Sequence, residues 1–355
     1  MRIVSLLASV AMALAAAQAA GAESDTWRSL TQAAEDLHQQ GRYEDAVAVV
    51  TRALGIAERD FGSEHPDVAT SLNFLALLQQ TRGEYRAAEV AYRRALAVME
   101  KALGPEHHSV AIAIGNLAEL FKTQGRYAAA ESLCQRALEI VEKALGPAHP
   151  NVATWLNSLA DVHFVQRQYA TAEPLYQRAL SIREKALGPY NPAVAASLNN
   201  LAAVYRARGD YAAAEPLYER SLAIVVRSLG PQHPALALTL NNLAELHGAR
   251  GQTAEAELLH QRSLAILEAT LGPEHPDLDQ TLNYLAALYG SQSQYVAAEH
   301  FFRRSLALRE KFLGGEHPAV AHSLEDIARL YTRMGRVEDA GRLSDRAAKI
   351  RARLH

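Results

Sequence analysis

Gly62-Ser63-Glu64-His65-Pro66 is the stretch that decides the fold. Variants of this connector begin again at Gly104, Gly146, Gly188, Gly230, Gly272 and Gly314, and every step is 42 residues. A fixed period of roughly 20–50 residues is the mark of a repeat array. Such an array offers an extended surface rather than one enclosed pocket.

Outward from the connector, each unit reads as a helical hairpin. Leu72, Leu75 and Ala76 fall at i, i+3 and i+4, one face of a helix. Gly83 interrupts the pattern, and Tyr85, Ala88, Tyr92, Ala95, Leu96 and Met99 resume it up to Leu103. Gly104 is expected to close that helix in the left-handed conformation. Pro66 suits the first turn of the helix that follows a connector, where no N–H is needed. Asp67 and Asp277 lie where a helix dipole favours negative charge. The unit is thus a first helix of ~14 residues, a turn, a second helix of ~18, and the connector. One hairpin cannot bury its own apolar face, so neighbours must supply the core. Eight units account for residues 23–355, with hairpins at about 24–61, 67–103, 109–145, 151–187, 193–229, 235–271, 277–313 and 319–354.

Residues 1–22 differ. Arg2 precedes an apolar run from Ile3 to Ala17, and Ala20-Gly21-Ala22 fits a small-x-small cleavage site. This reads as a signal peptide cut after Ala22. The alternative is an uncleaved anchor, but the run is short of the ~20 apolar residues that a span requires. The expectation is an exported chain, periplasmic or secreted in a bacterial envelope, with no stable membrane insertion after cleavage.

The 36 basic and 39 acidic side chains give a net charge of −3. That balance lacks the basic excess of nucleic-acid binders. The single cysteine, Cys134, excludes a disulfide framework. It takes a slot that other units fill with Tyr or Phe, which points to a buried small hydrophobe.

The units resemble the tetratricopeptide repeat. Ala46, Ala88, Ala130, Ala172, Ala214, Ala256, Ala298 and Ala340 hold the small slot of the second helix, and another small residue follows seven positions later in every unit. Phrases such as Leu198-Asn199-Asn200-Leu201-Ala202 and the 42-residue period are similar to the kinesin-light-chain type of this repeat. The resemblance implies an all-α, right-handed superhelical solenoid whose concave face is lined by the first helices. Arg167 and Ser293 depart from it by replacing the turn glycine, and Asn191 by replacing the connector histidine.

On that implied concave face Asn73, Asn157, Asn199, Asn241 and Asn283 share one slot, interrupted by Gly115 and Glu325. An amide both donates and accepts, so it can hold the backbone of an extended peptide without reading its side chains. The slot four residues on varies, with Glu119, Asp161 and Glu245 among its occupants; Lys122, Phe164 and Arg206 lie further along. The asparagines with Lys122, Asp161, Arg206 and Glu245 are the candidate peptide-binding residues. The competing account is that the asparagines pack between helices.

The connector histidines lie in different connectors, too far apart to share a metal ion. They are assigned to local capping, and no cofactor or metal is expected. The Arg row from Arg52 to Arg346 and the Glu row from Glu89 to Glu299 stand five residues apart, the wrong spacing for pairs within one helix. They are expected to pair between repeats or face water. His247 and His260 share a hairpin and could approach each other. No nucleophile elbow, phosphate loop or His-Glu-x-x-His motif occurs. The leading expectation is a non-enzymatic scaffold that binds an extended partner segment. The alternative is an assembly subunit that self-associates as a homo-oligomer through terminal repeats.

Overall fold

The computed structural model describes residues 22–352; the leader assigned to residues 1–22 lies outside the described residues except for Ala22. Among them are sixteen α-helices: α1 (Ala22–Gln39), α2 (Tyr43–Phe61), α3 (Pro66–Thr81), α4 (Tyr85–Leu103), α5 (His108–Thr123), α6 (Tyr127–Leu145), α7 (Pro150–Val165), α8 (Tyr169–Leu187), α9 (Pro192–Ala207), α10 (Tyr211–Leu229), α11 (Leu236–Ala249), α12 (Thr253–Leu271), α13 (Asp279–Ser291), α14 (Tyr295–Leu313), α15 (Pro318–Arg333) and α16 (Val337–Ala352). A short 3-10 turn, Pro276–Leu278, precedes α13. The chain divides into two compact units, the first ending at Arg208 and the second starting at Gly209.

The first unit stacks the hairpins α1/α2, α3/α4, α5/α6 and α7/α8 and ends with α9; each second helix packs on the next first helix. In the second unit α10 packs on α11, and the hairpins α11/α12, α13/α14 and α15/α16 follow in the same order. This is a tandem-hairpin solenoid in all-helical form. The first helices reach 16 residues in α3 and the second 19 in α4, slightly beyond the lengths that periodicity alone predicts.

The connector histidines cap the turn that follows them: His65, His107, His149 and His317 are helix N-caps, His275 caps the short 3-10 turn, and His233 caps the turn ahead of α11. His65 Nδ1 accepts the backbone N–H of Asp67 at 3.2 Å, and His107, His149, His233, His275 and His317 make the same bond two residues on. An acceptor at this point satisfies one of the orphan N–H groups of the first turn. Asn191 makes the bond through Oδ1 at 2.9 Å, which explains how an amide can replace the ring. His107 caps α5 although His108 stands where other units place proline.

The connector glycines differ from the left-handed expectation. Gly62 has φ 86° and ψ 154°. That is extended backbone at positive φ, a region essentially reserved for glycine. The hairpin turns are left-handed: Gly125 has φ 74°, while Arg167 and Ser293 adopt φ 61° and 60°. These two non-glycine turns keep the shape of the others. Gln168 N–H bonds His163 O at 2.9 Å, as Arg126 N–H bonds Phe121 O at 2.8 Å.

The core follows the small-residue rows. The eight alanines of the first row and the small residues seven positions later are all buried. Removing these surfaces from water is worth about 25 cal/mol per Å². In the Tyr slot of the second helix, Tyr92, Tyr176 and Tyr218 are buried, as are Cys134 and His260.

Charge links successive hairpins. Arg136–Glu100 (2.7 Å) and Arg178–Glu142 (2.5 Å) join second helices in the first unit, with Arg94–Glu58 in the same register; Arg304–Glu268 (2.6 Å) and Arg346–Glu310 (2.6 Å) do so in the second. The Glu row finds other partners. Glu89 pairs with Arg126, Glu173 with Arg208, Glu215 with Arg250 and Glu299 with Arg336, each arginine near the turn of the next hairpin. The two rows therefore pair between repeats, each with a different partner row.

Candidate functional site

In the first unit, helices α3, α5, α7 and α9 bring the asparagine slot into successive repeats as Asn73, Gly115, Asn157 and Asn199. The slot lies deeper than an open peptide-reading row. Asn157 is 8% exposed and Asn199 4%, while Asn73 is half-buried. Oδ1 of Asn73 and of Asn157 is buried and meets no donor. A buried acceptor without a partner carries a desolvation penalty of about 1–3 kcal/mol. Such an atom calls for an explanation in a water or a ligand.

Gly115 interrupts the row for a steric reason. A Cβ built on Gly115 would stand 2.4 Å from Cη2 of Trp155. Trp155 lies on α7, in a slot that other units fill with Ser71, Ser197, Thr239, Thr281 and Ser323. The indole takes the volume that the asparagine side chain has elsewhere.

Beyond the asparagines, Lys122 and Asp161 come together. Lys122 is 9% exposed, its Nζ 2.5 Å from Glu119 Oε2 and 4.0 Å from Asp161 Oδ2. Asp161 also accepts the Tyr176 hydroxyl at 2.5 Å. The ammonium is thus neutralised within the protein, leaving Glu119 as the exposed member. Cys134 lies beside this cluster. Burial pushes its thiol up to about 12, against the pull of the Lys122 ammonium. That thiol is inert as a nucleophile at neutral pH. Arg206 follows, half-buried, on α9.

The second unit treats its asparagines differently. Asn241, 3% exposed, donates through Nδ2 to Thr281 Oγ1 at 2.8 Å, and its Oδ1 faces His260 Nδ1 at 2.8 Å. Both ends of this amide are used inside the fold. Asn283 donates to Asp279 O and to Ser305 Oγ, each at 2.8 Å. Packing between helices, the competing account of the asparagine row, describes Asn241 fully and the Nδ2 end of Asn283, whose buried Oδ1 meets no donor. Glu245 is half-buried on α11.

His260 stacks on Tyr284 with ring centroids 5.2 Å apart, and burial lowers its pKa to about 4. Its Nδ1 faces an amide oxygen and so carries the proton of the neutral ring. His247 bonds Gln252 instead, at 2.8 Å, and His163 bonds Gln168 at 2.7 Å. His247 and His260, which share a hairpin, thus bond different partners, Gln252 and Asn241.

A row of arginines on the second helices escaped the sequence reading. Arg183, Arg309 and Arg351 share one slot, three units and one unit apart. Arg309 Nε and Nη2 grip Asp279 at 2.8–3.0 Å, and Arg351 grips Glu325 at 2.7 and 2.8 Å. Asp279 in place of the alanine of other units was the available signal, since a buried acid needs a cation.

A family model described as tetratricopeptide repeat matches residues 25–101, 91–132, 109–185, 153–225, 193–269, 259–311 and 277–353. Among solved structures, BtubC (BKLC) from P. vanneervenii is 26% identical, with TM-score 0.51, over 71% of this chain and 94% of that one. A Podosopora anserina chain of nearly identical TPR-like repeats of the kinesin-light-chain kind is 29% identical, with TM-score 0.48, over 58% and 98%. A Rap protein complexed with Competence and Sporulation Factor shares the fold at 14% identity, with TM-score 0.56, over 93% and 99%. No curated protein matches the chain.

Proposed function

Because the chain belongs to the tetratricopeptide repeat family, in its 42-residue kinesin-light-chain-like form, we propose that it is a non-enzymatic scaffold that holds an extended partner segment against its first helices. The observation that carries this reading is the pair of buried side-chain oxygens without a donor, Oδ1 of Asn73 and of Asn157. They occupy one slot two repeats apart, on either side of Gly115, where an extended backbone running along the row would meet both. The slot four residues on changes from Leu77 to Glu119 to Asp161 to Ala203, which provides side-chain discrimination along the same row.

The first unit is the better candidate of the two. Asn241 is committed at both ends of its amide to internal hydrogen bonds, and Asn283 is committed through Nδ2, its Oδ1 alone lacking a donor. The reading places the protein in the envelope, periplasmic or secreted, on the strength of residues 1–22 alone.

Photocrosslinking in the native cell, followed by mass spectrometry, tests it. Partner capture should fall at least several-fold in the Asn73→Ala, Asn157→Ala double variant while Asn241→Ala changes only stability. Equal capture by the double variant would sink the reading. Cell fractionation with N-terminal sequencing tests export: a cytoplasmic chain that keeps Met1 would exclude it.

A further inference from the structure

Arg183 is the member of the arginine row that lacks an acid. Its Nη1 does what Nη1 of Arg309 does. It donates to Ala193 O at 3.2 Å and Ser197 Oγ at 2.9 Å, as Arg309 Nη1 donates to Ala319 O at 3.0 Å and Ser323 Oγ at 2.8 Å. The other edge differs. In Arg309 it holds the carboxylate of Asp279, and in Arg351 that of Glu325. The first helix of the Arg183 repeat has Ala153 at the slot of Asp279 and Asn157 at the slot of Glu325. Nη2 of Arg183 makes one long bond, 3.4 Å to Thr154 Oγ1, and Nε has no partner among the described residues. No carboxylate lies within ion-pair distance of it among the described residues.

A guanidinium in this position is under electrostatic demand. Removal from water lowers the pKa of Arg183, with no acid to offset it. A cation drawn out of water is stabilised by an acid, and this chain supplies one to each of the other two. Arg183 itself is only half-buried, and Thr154 at its open edge is exposed. The open Nε/Nη2 edge is the planar fork that matches a carboxylate with two parallel hydrogen bonds.

We propose that Arg183, with Thr154 beside it, is a binding site for an incoming carboxylate, which takes the place that Asp279 fills against Arg309. The carboxylate belongs to a partner segment, as an Asp or Glu side chain or a chain terminus, or to a free organic acid. The peptide source rests on the function proposed above; the site itself does not. Above Ala153 there is a methyl where the homologous repeat has an acid, so the ligand supplies the missing charge from outside. The row-mates show the geometry it would meet: a two-pronged contact at 2.7–3.0 Å.

The test follows the Nε–H resonance of Arg183 in the full chain, identified by its loss in Arg183→Leu. The probes are sodium acetate and an end-capped deca-glutamate peptide, with sodium chloride and capped deca-glutamine as controls. The resonance should shift saturably with acetate or the acidic peptide and stay still with the controls. In Ala153→Asp, which builds the Asp279 arrangement into this repeat, the response should vanish while thermal stability rises. Asp279→Ala should give Arg309 a response that it lacks in the parent. At equal carboxylate concentration, at least tenfold tighter binding of the peptide assigns the site to a protein partner; equal binding assigns it to a free acid. A resonance that does not move, moves linearly to 100 mM, or moves equally in Ala153→Asp overturns the proposal. None of these outcomes depends on capture of a partner through Asn73 and Asn157.

Discussion

The indole of Trp155 fills the volume directly over Gly115, leaving 2.4 Å between its Cη2 and the place a Cβ would take. The two residues belong to successive first helices and depart from the repeat pattern together. Restoring the pattern at one of them alone should therefore fail. Gly115→Asn should destabilise by about 1–3 kcal/mol through overpacking, and Trp155→Ser by about 2 kcal/mol through lost burial. The double variant should lose less than the sum, with a coupling of at least ~1 kcal/mol. Urea denaturation of the four proteins measures this; strict additivity would show that the contact is unimportant.

Arg167 and Ser293 hold turns in the left-handed region that glycine fills elsewhere. An L side chain there costs about 1–2 kcal/mol, and glycine returns part of that gain through the entropy of the unfolded chain. Arg167→Gly and Ser293→Gly should each raise stability by about 0.5–1 kcal/mol. A fall in melting temperature would mean that these side chains stabilise the turn by contacts of their own.

The pKa of His260 lies at about 4 in the folded chain, against an ordinary 6.5. The unfolded chain therefore takes up this proton first as pH falls. The contribution of His260 to stability is complete above pH 6.5 and is lost progressively down to pH 4. Linkage puts the loss at about 2–3 kcal/mol between pH 7.5 and 4.5. His260→Tyr, the residue of the same slot in Tyr92, Tyr176 and Tyr218, should remove this part of the acid sensitivity. Equal losses in both proteins, read by urea titration at the two pH values, would refute the assignment.

The connector cap asks for an acceptor, not for an imidazole. His149→Asn should stay within about 0.5 kcal/mol of the parent, whereas His149→Ala should cost about 1 kcal/mol. The reciprocal Asn191→His should likewise be tolerated. Thermal melts at pH 7.5 decide it, and an Ala variant as stable as the parent would show that the bond at 3.2 Å contributes nothing.

The hairpins were legible because glycine, proline and the alanine rows act locally and recur. Capping was readable for the same reason, since His65 and Asn191 need only their own next two residues. The candidate site was less legible. Asn73 and Asn241 occupy one slot, yet only Asn241 meets a His260 and a Thr281, and those partners lie on two other helices. Whether an amide is free to bind depends on which side chains the neighbouring hairpin sends toward it. The Arg183 site was invisible for a further reason. It is defined by the acid that Ala153 does not supply, and an absence becomes meaningful only beside Arg309 and Arg351.

The charge links between successive second helices have a consequence for how such a chain can change length. Each joins residues 36 apart, as in Arg136–Glu100 and Arg178–Glu142. Excision of residues 109–150, one whole period, would bring Arg178 to the same separation from Glu100 that Arg136 has now. The partner changes and the pairing survives. A deletion that is not a whole number of periods would move the arginine out of register with its glutamate. The ladder thus permits growth and shrinkage in whole units and penalises every other edit, so that gene duplication and loss can resize the scaffold without redesigning its joints.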